Sequence, residues 1–148
     1  MIFEKPRRRT VHRVFIHCSA SDAKNRDSVA TIRGWHKQQG WADIGYHFVI
    51  TRDGVVHVGR PIEHKPAAQK GNNKGTIAIC LTGLKKFTTE QVLALADFCM
   101  AIDDAYEHEI TFHGHCEVNP MKTCPVFDYR EVLRLDPAGQ MTRHIKKG

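Results

Sequence analysis

Residues 46–58 read Tyr46-His47-Phe48-Val49-Ile50-Thr51-Arg52-Asp53-Gly54-Val55-Val56-His57-Val58. Two runs rich in β-branched and aromatic residues, 46–51 and 55–58, are joined by a polar segment ending in Asp-Gly. Asp-Gly between such runs is a strong hairpin signal, because glycine takes a positive φ without steric cost. A hairpin makes its strands antiparallel, whereas strands joined through a helix run parallel. Any sheet containing both is mixed.

Outward from the hairpin, the chain alternates. Residues 11–17 are a largely apolar, β-rich run and read as a buried strand, closed by the turn-like Ser19-Ala20-Ser21-Asp22. Residues 28–39 read as a helix, capped by Asp27 or Ser28, with Val29, Ile32 and His36 on one face and Gly40-Trp41 as its C-terminal stop. After the hairpin, residues 59–75 carry Gly, Pro, Asn and Lys without a period and read as a long surface loop, of the length that is often functional. Residues 76–82 are another buried strand. Thr88 with Gln91 forms a capping box for a helix running to about 107, whose stripe is Val92, Leu95, Cys99, Ile102 and Tyr106. Residues 110–113 suit a short strand, and 125–133 a final helix with Pro125 in its first turn. This order predicts a single α/β domain with a mixed central sheet flanked by helices. The domain is expected at 11–135, between a loose basic arm at 1–10 and a basic tail at 136–148.

The chain has 148 residues, a size that suits one domain. Its net charge is +6, which points to a polyanionic partner without choosing among nucleic acid, anionic membrane and bacterial envelope. Much of the excess lies in Lys5, Arg7, Arg8 and Arg9 at one end and Arg143, Lys146 and Lys147 at the other, where solvated tails are the plainer reading. No segment reaches the roughly 18 apolar residues of a membrane helix. The early basic residues lead into no apolar stretch, so no signal peptide is read, and the protein is expected in the cytoplasm until it is released to its target. The five cysteines are odd in number and include no C-x-x-C pair, which argues against a disulfide framework or a zinc ribbon.

Three side chains stand out as metal ligands. His17 ends the first strand, His115 follows the last short strand, and Cys124 comes nine residues later. Two imidazoles and a thiolate leave a fourth tetrahedral position open, as a catalytic zinc requires. Residue type alone leaves plainer readings in place. His17 could be a satisfied core histidine, and Cys124 a small buried hydrophobe. Tyr46 could be a hairpin aromatic, and Lys122 a solvated charge. His113 rivals His115, and His47, next to Tyr46, reads as structural.

Several segments in order resemble one family. Val14-Phe15-Ile16-His17-Cys18-Ser19-Ala20, Ile32-Arg33-Gly34-Trp35-His36 and Gly40-Trp41-Ala42-Asp43-Ile44-Gly45-Tyr46-His47-Phe48 resemble the type 2 N-acetylmuramoyl-L-alanine amidases, and among them the small amidase lysozymes of T-odd coliphages. So do Arg52-Asp53-Gly54 with Gly59-Arg60, Thr76 to Gly83, His115-Cys116-Glu117-Val118 and Lys122-Thr123-Cys124-Pro125-Val126-Phe127-Asp128. The match runs over roughly residues 12–130. It implies a peptidoglycan recognition protein-like fold with a zinc site in a surface groove. It further implies one Zn2+ per chain on His17, His115 and Cys124, Tyr46 and Lys122 as catalytic residues, and the lactyl-amide bond to L-alanine in peptidoglycan as the substrate. Lys122 would share oxyanion stabilisation with zinc, and Tyr46 would position water or relay a proton. The Glu-Val after Cys116 sets the register and favours His115 over His113.

Two departures from the family pattern concern the site. The segment from His115 to Cys124 is one residue longer, with Met121 as the extra residue. A loop histidine of the family is replaced here by Ala68 beside Gln69, leaving His64, Gln69 and Asn73 as candidate substrate-binding residues. Peptidoglycan is the expected partner and the chain is expected to be a monomer. Some relatives also bind a phage RNA polymerase, which makes that a second possible partner. No nucleic-acid-binding motif is present. A zinc-free binding module on this fold is disfavoured because all three ligand types are present. Glycosidic cleavage is disfavoured because no paired carboxylates lie in the matching motifs.

Overall fold

The structure is a computed structural model that describes residues 2–143, so Lys146 and Lys147 lie outside the described residues. Five strands form one mixed sheet: β1 (Arg13–Cys18), β2 (Phe48–Ile50), β3 (Val56–Val58), β4 (Thr76–Leu81) and β5 (Thr111–Gly114). Their spatial order is β3-β2-β4-β1-β5. Only the β2–β3 pair is antiparallel, with Phe48 opposite Val58 and Ile50 opposite Val56. The pairs β2–β4, β4–β1 and β1–β5 are parallel. The hairpin turn closes where expected: Thr51 N–H donates to Val55 O at 3.1 Å, and Gly54 takes φ 80°.

One helix covers each face. Val14, Ile16, Phe48, Ile50, Ile77, Ile79 and Leu81 pack with Leu95, Phe98, Cys99 and Ile102 of α2 (Thr89–Ala105). On the opposite face, Val49 and Cys80 pack with Ile32 of α1 (Val29–Gln38) and with Ile44. Alternation along β1 thus sends Val14 and Ile16 toward α2, while Phe15 and His17 project to the α1 side.

The helix boundaries follow local chemistry. Ser28, not Asp27, caps α1, its hydroxyl accepting the Thr31 N–H at 3.1 Å. Asp27 instead accepts the Arg52 N–H and the Thr82 hydroxyl. Gly40 at φ 88° gives α1 a two-bond C-terminal lock, with Gly40 N–H to Lys37 O and Trp41 N–H to His36 O, and the Trp41 ring lies 4.5 Å from the His36 ring. The Thr88–Gln91 capping box is present on α2.

Three expectations are corrected. The final helix, α3, is a single turn, Tyr129–Val132, capped by Asp128 rather than led by Pro125. Val126 takes φ 75° in the turn before it, a conformation a helix cannot contain. Tyr46 precedes β2 instead of lying in it. The basic arm is not loose. Phe3 makes edge contacts with Phe48 and Phe98, Glu63 accepts the backbone N–H groups of Arg7 and Arg8, and the Arg9 guanidinium donates to Ile62 O and Thr76 O. Past residue 135 the chain still packs, with Leu135 bridged to a buried Met141.

Candidate metal centre and groove

Strand β1 ends at Cys18, and the crevice beyond the carboxyl ends of parallel strands is where open α/β sheets place their ligand sites. His17 sits there, buried to 1% exposure. On the adjacent strand β5, the chain turns after Gly114 into a short 3-10 turn, His115–Glu117, which brings the His115 ring to 4.6 Å from that of His17. The loop then returns, tied by Cys116 N–H to Cys124 O and Lys122 N–H to Asn119 O, and delivers Cys124 beside Cys18. One donor atom from each of His17, His115 and Cys124 lies within 4.8 Å of the others. Tetrahedral bonds of about 2.0–2.3 Å put ligand atoms roughly 3.5 Å apart, so this group can hold one metal ion with little adjustment.

The electrostatics suit that use. Burial, with the neighbouring His115, pushes His17 down to about 3, so its imidazole is neutral and able to coordinate. Burial and the Lys122 charge also lower His115. The Cys18 thiol and burial push the Cys124 thiol up. The Cys18 backbone N–H, donating to the Cys124 sulfur at 2.8 Å, acts the other way, and a bound cation deprotonates a coordinating thiol outright.

A groove of about 620 Å³ opens beside the group, lined by Trp41, Tyr46, Ala67, Ala68, Lys70, Asn73, His115, Asn119 and Lys122. A second hollow of about 220 Å³ shares Tyr46, His115 and Lys122 with it and continues past Cys18 and Cys124. The Tyr46 ring is flanked by His17 at 5.1 Å and His36 at 5.4 Å, and burial raises its phenol well above the ordinary range, which keeps it a proton donor. His36 in turn accepts the Gly45 N–H at 2.8 Å. A cavity of about 700 Å³ lies at the opposite ends of β1 and β4, lined by Arg9, His12, Arg13, Lys65 and Lys74 among others, away from the ligand group.

His17, His115, Cys124, Tyr46 and Lys122 are therefore gathered in one place. His113 is not among them, since its ring is engaged by Glu117 and Thr111. The three residues offered as substrate contacts separate. Asn73 lines the groove, its side-chain oxygen holding the N–H groups of Ala68 and Gln69. Gln69 is wholly buried and bonded to His17. His64 is exposed and is not among the groove's lining residues, and its carbonyl contacts the His47 ring. Met121 protrudes at 88% exposure, and the next residue, Lys122, lines the groove.

Sequence reasoning missed the supports. Glu117 clamps the His115 turn by accepting from Gly114 N–H and the Tyr129 hydroxyl while bonded to His113. Only its position two residues after His115 hinted at this. Nothing in the periodless loop marked Gln69 as inward-facing.

A sheet of this topology has counterparts of known structure. N-acetylmuramoyl-L-alanine amidase LysC from Clostridium intestinale URNW superimposes with a TM-score of 0.75 at 26% identity, over 86% of this chain and 85% of that one. In sequence, the chain is 38% identical to an endolysin of Enterobacteria phage T3 over 134 residues, covering 85% of this chain and 87% of that protein. It is 37% identical to an endolysin of Escherichia phage T7, covering 83% and 85%. The N-acetylmuramoyl-L-alanine amidase family model matches residues 7–127. The chain belongs to the N-acetylmuramoyl-L-alanine amidase family, and as an enzyme it is an amidase of that class. Among the described residues, no helix is long and apolar enough to cross a membrane.

Proposed function

We propose that this protein is a zinc-dependent endolysin that hydrolyses the lactyl-amide bond between N-acetylmuramic acid and L-alanine in peptidoglycan, acting as a monomer with one zinc per chain. The observation that carries this reading is the convergence of His17, His115 and Cys124 within 4.8 Å at the wall of a groove that also holds Tyr46 and Lys122. The donor set fits zinc: two neutral imidazoles and a sulfur, with room for substrate on the groove side.

Zinc bound there would polarise the scissile carbonyl and make water a competent nucleophile near neutral pH. The chain's own groups do the rest. Lys122 faces the same groove as His115 and lowers that ring through its charge, so it is close enough to stabilise negative charge developing on the carbonyl oxygen. Tyr46 keeps its proton and, fixed between two imidazoles, donates a hydrogen bond to the reacting amide or relays a proton to the departing L-alanine nitrogen. Trp41 and Asn73 form the outer walls that orient the saccharide and stem peptide, and Lys70 offers a cation to a stem carboxylate.

Mass spectrometry of digested peptidoglycan tests the bond assignment. New L-alanine amines on intact glycan strands are expected, and loss of this product with a chelator and its return with zinc test the metal. New reducing sugars would overturn the proposal.

A further inference from the structure

From the His17 imidazole through the buried side chains of Gln69 and Thr76, three hydrogen bonds form a chain with only one possible direction. The Thr76 hydroxyl donates to Asn73 O at 2.8 Å, because a carbonyl oxygen can only accept. Thr76 Oγ1 is then left to accept from Gln69 Nε2 at 2.8 Å, and the same amide nitrogen donates its other proton toward Asn72 O at 3.2 Å. With both amide protons committed, the Gln69 carbonyl oxygen is the atom facing His17 Nε2 at 2.9 Å. That oxygen cannot donate, so the proton between them belongs to the histidine.

We propose that Gln69 is a positioning residue for the metal: it holds His17 as its Nε2–H tautomer and leaves Nδ1 as the one ring nitrogen free to bind a cation. The proposal rests on the zinc reading given above and adds to it the group that prepares a ligand before metal arrives. A ligand histidine whose second nitrogen donates to a fixed acceptor has its ring orientation set and its basicity raised. Usually that acceptor is a carboxylate or a backbone carbonyl. Here it is a neutral amide whose own orientation is dictated by Thr76. Gln69, Thr76 and His17 are each at most 1% exposed, so water does not compete for these bonds. The loop backbone at Gln69 is fixed as well, since Asn73 Oδ1 accepts its N–H at 3.0 Å.

The test uses the full-length protein. Long-range proton–nitrogen NMR of the metal-free wild type, at neutral pH, is expected to show His17 as a single Nε2–H tautomer, with zinc then attaching through Nδ1. Gln69→Met keeps the side chain's length and removes the acceptor. It should weaken zinc binding by about 10- to 100-fold in chelator competition and leave His17 in mixed tautomers. Thr76→Val removes only the group that orients the amide, so it should weaken binding less, and the double variant should bind zinc no more weakly than Gln69→Met. Wild-type His17 carrying its proton on Nδ1, or Gln69→Met binding zinc as tightly as wild type, would overturn the proposal. Should Gln69→Met fail to fold, the wild-type tautomer and Thr76→Val still decide it. A wild type that takes up no zinc would instead sink the zinc reading, and that shows before any substitution is made.

Discussion

The two sides of the candidate metal centre are built in different ways. His17 stands on a central strand, paired on both edges by β4 and β5, and its ring is sealed from solvent. His115, Lys122 and Cys124 come from a ten-residue excursion without regular structure beyond one 3-10 turn, held by backbone bonds across its neck and by the Glu117 clamp. One side takes its precision from the sheet, which costs the site nothing extra because the ladder bonds are needed for the fold. The other takes it from a few polar contacts near the surface, where the chain can change length. The side that opens on the groove is thus the side able to vary, while the buried side is held fixed by the sheet.

Substitutions can break or sharpen this contrast. Cys124→Ser removes the anionic ligand of the loop side, and zinc content by atomic emission should fall from one per chain to near zero, with lytic activity lost as well. Lys122→Ala should keep its zinc and lose about 10³-fold in kcat, the scale of a missing oxyanion donor. Equal zinc loss in both variants would show that the loop folds around Lys122 and not around the metal. Tyr46→Phe, on the rigid side, should also keep zinc and lose about 10²-fold in kcat, the scale of a missing proton donor.

Acid should strike the buried side. Burial holds His47 down to about 4 and His17 to about 3, against an ordinary value of 6.5. The unfolded chain therefore binds protons below pH 6.5 that the folded chain refuses. Stability falls as the pH drops from 6.5 toward 4, by up to about 1.4 kcal/mol per pH unit for each histidine. Urea midpoints of the metal-free protein should follow that slope, and His47→Asn should make it shallower. The smallest effect is expected from Met121→Ala, with stability within about 0.5 kcal/mol of wild type, because the side chain stands in solvent.

Legibility in the sequence divides along the same line. The hairpin, the buried strands, the capping box and the Gly40 stop could be read because each is a local pattern with a local cause. His17 was visible as a polar residue ending an apolar strand. The short α3 was not, since Asp128 and the turn at Val126 override the helix signal that Pro125 gives. The docking of Phe3 depends on a pocket made by Phe48, Phe98 and Tyr106, which are far away in sequence. Gln69 acts through a hydrogen bond to His17, 52 residues away, and Glu117 joins its own turn to the distant Tyr129, partners that neither stretch of sequence discloses.

The missing side chain at Gly45 sets a limit on how this protein can change. A Cβ there would lie 2.1 Å from Ala67 O, and the Gly45 carbonyl accepts the Ala67 N–H. The tyrosine segment and the 59–75 loop are in effect fused at that crossing, like two boards sharing a nail. Substitutions at Lys70 or Met121 can refashion the rim, while the joint at Gly45 and Ala67 keeps the floor beneath it unchanged.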